Sequence, residues 1–168
     1  MPARPSPAAT PPNSKPLKAG KRALGNTFTH RLHSLQKLTD KVSQSVYAEV
    51  TALSLGEARC LTAVGAFTPL SVQHLARAAN VDKGQASRAA QALVDKGLVL
   101  KAPDVADARG VVLSLTPAGE ALCRQLMALV HQRNQQIVAC LTPAEQAEFD
   151  RLLTKLVAHA EAVLRERA

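Results

Sequence analysis

Apolar residues recur at helical steps along most of the chain, and at alternating steps in one stretch past its middle. From Thr27 to about Val50, Leu32, Leu35, Leu38, Val42, Val46 and Val50 return every third or fourth residue, the period of one helical face. Ser54 followed by Glu57 has the spacing of a capping box, so a second helix is predicted over LGEARCLTAVGAF, broken by Thr68–Pro69–Leu70. Two short helices follow in Ser71–Gly97. Ser71 caps the first, whose apolar face is Leu75, Ala76 and Ala79. Asn80 suits the left-handed conformation of a sharp turn, and Val81 fills the angle between the helices. Asp82 caps the second helix, and Gln85 stands three residues on, where its side chain can bond back. Ala86, Ala89 or Ala90, Leu93 and Val94 keep the inner face of that helix small, and Gly97 ends it.

The alternation in LVLKAPDVADARGVVLSL predicts a strand near Leu98–Lys101, a turn region of Pro, Asp, Ala and Gly, and a strand near Gly110–Leu115. This is a β-hairpin with a long tip, the wing of a winged helix-turn-helix. Thr116–Pro117 opens a further helix to roughly Val138. Thr142–Pro143–Ala144–Glu145 repeats the device and opens a last one to near Arg165, with Phe149, Leu152, Leu153, Leu156, Val157, Ala160, Val163 and Leu164 on one face. The fold class expected is mainly α with a small β-wing: a winged helix-turn-helix with dimerisation helices from both termini. The apolar faces of the first and last two helices exceed what so small a module could cover, and pairing of subunits into a homodimer is the use predicted for the surplus.

Composition narrows the function classes. The chain of 168 residues suits one domain of moderate size with its own core. Phe28, Tyr47, Phe67 and Phe149 are its only aromatics, too few for a platform that stacks single-stranded bases. The net charge is +8. Arg4, Lys15, Lys18, Lys21 and Arg22 lie in residues 1–26, which hold no acid, so residues 27–168 carry the remaining +3. That excess fits a polyanionic partner. Residues 1–26 also hold six of the ten prolines and are expected to be a disordered basic tail. Cys60, Cys123 and Cys140 are odd in number, form no CxxC and fall on expected helix interiors, which favours buried, reduced thiols and a cytoplasmic protein. No apolar run approaches a bilayer span, so no membrane partner is expected. The five histidines lack ligand spacing, and no nucleophile–base pair or phosphate-cradling loop is present. No metal, cofactor or catalytic residue is therefore expected; the chain reads as a binding protein and not an enzyme.

The second short helix turns Lys83, Gln85, Ser87, Arg88 and Gln91 outward from its first turns. Slim polar and basic groups near a helix N-terminus suit entry into a major groove, where the helix dipole and free N–H groups also favour phosphate. A wing beside such a helix can lay its tip on the neighbouring minor groove, with Arg109 as the probe. Two other readings share these features: a helix pair with a merely solvated face that mediates protein–protein contacts, and a redox-sensing regulator that uses a cysteine.

The ordered set VDKGQASR, DKGLV, DVADARG and LTPAGE, followed by LTPAEQAEFDRLL, resembles the MarR (multiple antibiotic resistance regulator) family of bacterial transcription factors over roughly residues 27–165. The resemblance implies a homodimer that offers one winged helix-turn-helix per subunit to each half of a palindromic operator in double-stranded DNA. It implies repression relieved by a small aromatic acid or phenolic effector. Groove-reading positions map onto Lys83, Gly84, Gln85, Ser87, Arg88 and Gln91, and the wing contributes Lys101 and Arg109. Arg31, His33, Tyr47 and Arg59 are the polar and aromatic groups implied for an effector site. This chain departs from the family pattern at Ala102 and Ala108, where basic residues are usual; Lys101 and Arg109 are balanced by Asp104 and Asp107, leaving the wing without net charge. The division expected is a tail over 1–26, an N-terminal dimerisation helix over 27–52, a winged helix-turn-helix over 53–116 and C-terminal dimerisation helices over 117–168.

Overall fold

The computed structural model describes residues 24–103 and 111–167. Within them the elements run α1 (Phe28–Thr51), α2 (Leu55–Phe67), β1 (Leu70–Ser71), α3 (Val72–Ala78), α4 (Lys83–Asp95), β2 (Val99–Pro103), β3 (Val111–Leu115), α5 (Pro117–Val138) and α6 (Pro143–Glu166). The basic tail and the wing tip, which contains Asp104, Asp107 and Arg109, lie outside the described residues, apart from the last three positions of the tail. The chain divides into two compact units, Met1–Thr39 and Asp40–Ala168, with the boundary inside α1.

The helix starts follow from their caps. Ser54 Oγ accepts from the Glu57 amide at 3.2 Å while the Glu57 carboxylate accepts from the Ser54 amide at 2.7 Å. Thr142 and Glu145 form the same reciprocal pair at the start of α6. Each pair satisfies backbone donors that the first turn leaves unpaired. Asp82 caps α4 by accepting from the Gln85 amide at 2.8 Å, but the returning bond from the Gln85 side chain is not formed, so only half of the expected box exists. A neutral glutamine oxygen gains less than a carboxylate from reaching back to a backbone N–H, and Gln85 remains exposed.

Asn80 adopts φ 52° and turns the chain between α3 and α4. Gly97 adopts φ 68° past the end of α4, and the Leu98 amide returns to the Leu93 carbonyl at 2.9 Å, the pattern of a left-handed helix stop. The hairpin then pairs Val99 with Leu115 and Lys101 with Leu113, and ends in the described residues at Pro103 opposite Val111. A short strand not foreseen from sequence, β1, adds to the other edge of β3 through Leu70 opposite Leu113, giving the antiparallel order β1-β3-β2. Two residues are too few to show alternation.

In the second unit the core gathers Leu53, Leu61, Val64, Leu75, Leu93, Val99, Leu113 and Leu126, all essentially inaccessible to solvent. Only Ser43 and Tyr47 of α1 are buried. The leucine and valine stripe predicted for that helix is largely exposed, including Val42 and Val50, because the buried side of α1 is offset from it. In α6 no residue is buried at all, although Phe149, Leu152, Leu153, Leu156 and Val157 line one side and are each 41–51% exposed.

Thr116 fastens the wing to the helices around it. Its amide donates to the Leu98 carbonyl at 3.1 Å, its hydroxyl donates to the Gly97 carbonyl at 2.8 Å, and the same hydroxyl accepts from the Gly119 amide at 3.0 Å. Gly119 therefore lies so close to the Leu98 backbone that a Cβ would stand 1.9 Å from the carbonyl oxygen. Gly119→Ala should destabilise the fold by about 3 kcal/mol, since backbone must move to admit the methyl. Gly56→Ala, whose new methyl meets nothing within 4 Å, should stabilise by roughly 0.5–1 kcal/mol. Urea unfolding of both variants checks the contrast; equal midpoints would show that the Thr116–Gly119 turn can relax.

Candidate nucleic-acid interface

The site is built on α4. Ala86, Ala90 and Leu93 recur on its inner side and are almost wholly buried, so the helix seats closely on α2 and α3. The side opposite carries Gly84, Arg88, Gln91 and Asp95, one turn apart and all exposed. Lys83, Gln85 and Ser87 are exposed on the flanks of its first two turns. The structure thus brings every α4 residue expected from sequence to the surface of one short helix.

Arg88 is directed by its neighbour four residues back. Its Nη1 would come within 3.5 Å of a Cβ at Gly84, so the guanidinium leans over the first turn, where a glycine leaves it room. Long helical side chains lean toward the N-terminus in this way. Among the described residues no hydrogen bond or ion pair engages the Arg88 side chain, which leaves its planar donors available. The same glycine faces the Asp82 carboxylate, whose Oδ1 would lie 3.2 Å from an added Cβ.

Two contacts foreseen by no sequence signal hold α4 and the wing stem. Lys96, just past the end of α4, pairs with Glu57 at the start of α2 at 2.5 Å. Lys101 on β2 donates to Gln91 Oε1 at 2.5 Å, and Gln91 Nε2 donates to Asp95 Oδ1 at 2.7 Å. Lys101 and Gln91, both expected to face DNA, are therefore partners of each other. The Lys96–Glu57 and Lys101–Gln91 pairs join residues whose proximity depends on how the helices and wing fold together, and no local spacing reveals them, whereas Gln91 and Asp95 are neighbours four residues apart on one helix.

Of the residues implied for an effector site, Tyr47 and Arg59 come together. Arg59 Nη2 meets Asp40 Oδ1 at 2.6 Å, and Tyr47 is buried beside them. Burial raises the Tyr47 phenol above its ordinary value; the guanidinium groups of Arg133 and Arg59 oppose the rise and Asp40 adds to it. Arg133, not singled out from sequence, joins this cluster from α5, and its buried Nε has no hydrogen-bond partner. Arg31 and His33 are exposed in the first unit. Arg59 also lies on the rim of a cleft of about 290 Å³ between α2, α3 and the Met127 side of α5. A larger cleft of about 530 Å³ opens between α2, β3 and α5, lined in part by Cys123.

The cysteines divide differently from expectation. Cys60 and Cys123 are buried helix residues, but Cys140 is exposed in the turn between α5 and α6 and is not on a helix interior. The helix before it ends at Val138, where the sequence places its end, so Cys140 falls two residues past it. Burial, with Glu57 nearby, pushes the Cys60 thiol up to about 11, and burial raises Cys123. Neither is a ready thiolate at neutral pH. Among the described residues no group of three His, Cys, Asp or Glu side chains could hold a metal ion, and no helix is long and apolar enough to cross a membrane.

The architecture is that of a winged helix-turn-helix. A MarR family model matches residues 53–110. The multiple antibiotic resistance protein MarR of Salmonella typhimurium is 32% identical over 114 residues, covering 65% of this chain and 74% of that protein. The HTH-type transcriptional repressor Mb2911 of Mycobacterium bovis is 34% identical over 104 residues, covering 62% and 75%. A mutant MarR from E. coli, solved in complex with operator DNA, superposes with a TM-score of 0.68 at 26% identity, covering 76% of this chain and 91% of that one. The chain belongs to the MarR family of transcriptional regulators.

Two measurements test the local chemistry. Burial alone would raise the Glu57 carboxyl, but hydrogen bonds from Lys96 and from the Ser54 amide and hydroxyl outweigh it and hold the group below its ordinary value. A depressed carboxyl contributes stability that is present above its unfolded pKa and is lost as pH falls through the folded one. Glu57→Gln should therefore lower the unfolding midpoint at neutral pH and leave it nearly unchanged well below the ordinary carboxylate range. A loss of equal size at both pH values would remove the ion pair as its cause. Thiol titration of the native protein with an aromatic disulfide should show one fast thiol, Cys140, and two that react only on unfolding; a fast Cys60 would contradict its burial.

Proposed function

We propose that this chain is a homodimeric transcriptional repressor, resident in the cytoplasm, that reads a palindromic operator by placing the start of α4 in the major groove. The exposed outer side of α4 carries the reading, because its inner side is alanine and the helix can project its N-terminal end without bulky side chains between it and its support. Arg88 and Gln85 are the base readers: a guanidinium fork suits guanine, and an amide suits adenine. Lys83 serves as a point charge for phosphate, joined by Ser87 and by the close backbone at Gly84. Lys101 approaches the backbone from the wing stem, and Arg109 at the wing tip probes the minor groove.

Dimerisation is supported by α6, which buries none of its residues yet lines one side with five large apolar ones. A stripe of that extent left in water is rare on a monomer. Residues 27–52 and 117–168 supply the pairing helices on this reading, and 53–116 the DNA-binding module. Release by a small aromatic acid or phenol is assigned to the region of Arg59 and Tyr47, where a cationic group rims an open cleft and an uncommitted Arg133 Nε stands close by. Arg31 and His33, in the first unit, are proposed as effector contacts by the family resemblance alone.

The test begins with a random-sequence duplex library from which the full chain selects its preferred site, measured in moderate salt with nonspecific competitor. Arg88→Ala should lose about 1–3 kcal/mol of binding to the selected duplex and relax the base preference at one position per half-site. Lys83→Ala should weaken selected and scrambled duplexes alike and reduce the salt slope by about 1. If the chain enriches no sequence, the DNA-reading assignment fails and a protein-binding module takes its place.

A further inference from the structure

We propose that Gln91 is a positioning residue and not a base reader: Asp95, Gln91 and Lys101 form a strap that fixes the wing stem to the recognition helix and aims the Lys101 ammonium at the DNA backbone. The inference rests on the DNA-reading assignment of α4 and goes beyond it by changing what one residue of that face does. Gln91 stands at the centre of the outer side of α4, a turn beyond Arg88, and by position alone it would be a base contact. Both ends of its amide are already engaged. Oε1 accepts from Lys101 Nζ at 2.5 Å and Nε2 donates to Asp95 Oδ1 at 2.7 Å.

The direction of the strap is chemically unique. An ammonium can only donate and a carboxylate can only accept, so the glutamine amide has one orientation that satisfies both. Bidentate recognition of adenine requires the same oxygen and the same NH₂. Gln91 cannot offer that fork to a base without giving up Lys101, Asp95 or both. Among the described residues Gln91 is the one hydrogen-bond partner of the Lys101 ammonium, which has three donors and so can also serve a phosphate oxygen. Lys101 sits on β2 directly opposite Leu113, so the two side chains leave the same face of the sheet; Leu113 enters the core and Lys101 reaches from that face to Gln91 on α4.

The strap can be rebuilt with its charges exchanged. Gln91→Glu keeps an acceptor for Lys101 but sets two carboxylates against each other. Adding Asp95→Asn restores a donor to the second site and returns the net charge to its starting value. Against the duplex selected from a random library, Gln91→Leu should weaken binding roughly two- to fivefold, with the same factor on a scrambled duplex. Gln91→Glu should weaken it further, and Gln91→Glu/Asp95→Asn should recover most of the loss. Base preferences re-selected with Gln91→Leu should match those of the parent chain. A changed preference at one position per half-site, no recovery in the double variant, or no effect of Gln91→Leu would each overturn the proposal. Thermal unfolding of Gln91→Leu, Lys101→Met and their combination decides the strap without DNA: losses that fall short of additive support it, and fully additive losses count against it. Should the parent chain select no sequence, the DNA assignment falls while the unfolding cycle still judges the strap.

Discussion

Ala86 and Ala90 bring α4 against its supports with almost no side chain between the backbones. Everything on the outer side depends on that close seat. Leu75 and Ala76 of α3 meet it from below, and Leu93 closes its far end in the core. Because the inner side is short, the polar groups opposite need little length to reach beyond the protein surface. Larger residues at 86 or 90 would lift the helix and tilt Arg88 and Gln85 with it. Dense interiors transmit such shifts and do not absorb them.

The seat is also held from its two ends. Asp82 caps the start, and Gly97 in the left-handed region stops the helix and turns the chain into β2. Lys96 draws the C-terminal end to Glu57, the residue that closes the capping box of α2. Thr116 then binds the returning strand of the wing to Gly97 and Leu98. Caps, ion pair and wing are thus parts of one frame around the recognition helix. Each is a modest contribution of about 1 kcal/mol, and their common effect is on orientation more than on total stability.

Much of this frame was legible in the chain, because its signals are local. Ser54 with Glu57, Thr116 with Pro117 and Thr142 with Glu145 announce helix starts whose partners lie three residues away or less. Asn80 and Gly97 announce the turns. What was not legible depends on tertiary neighbours: the Gln91–Lys101 bond, the Lys96–Glu57 pair, and Arg133 beside Tyr47 join residues that no spacing relates. The stripe on α1 shows the other limit. Periodicity identifies an apolar face but does not say what covers it, and within the chain only Ser43 and Tyr47 of that helix are buried. Gln85 shows that a capping-box spacing secures the forward bond of the cap, while the return bond depends on what else the side chain can do.

The placement of α4 in the major groove is tested most directly by methylation interference on the duplex that the full chain selects. Dimethyl sulfate marks guanine at its major-groove nitrogen and adenine at its minor-groove nitrogen, so one experiment reports both grooves. The expected pattern is guanine interference in two symmetric tracts about one helical turn apart, flanked by adenine interference where the wings lie. Interference at adenines alone, with guanine methylation tolerated throughout the site, would contradict a recognition helix seated on Ala86 and Ala90.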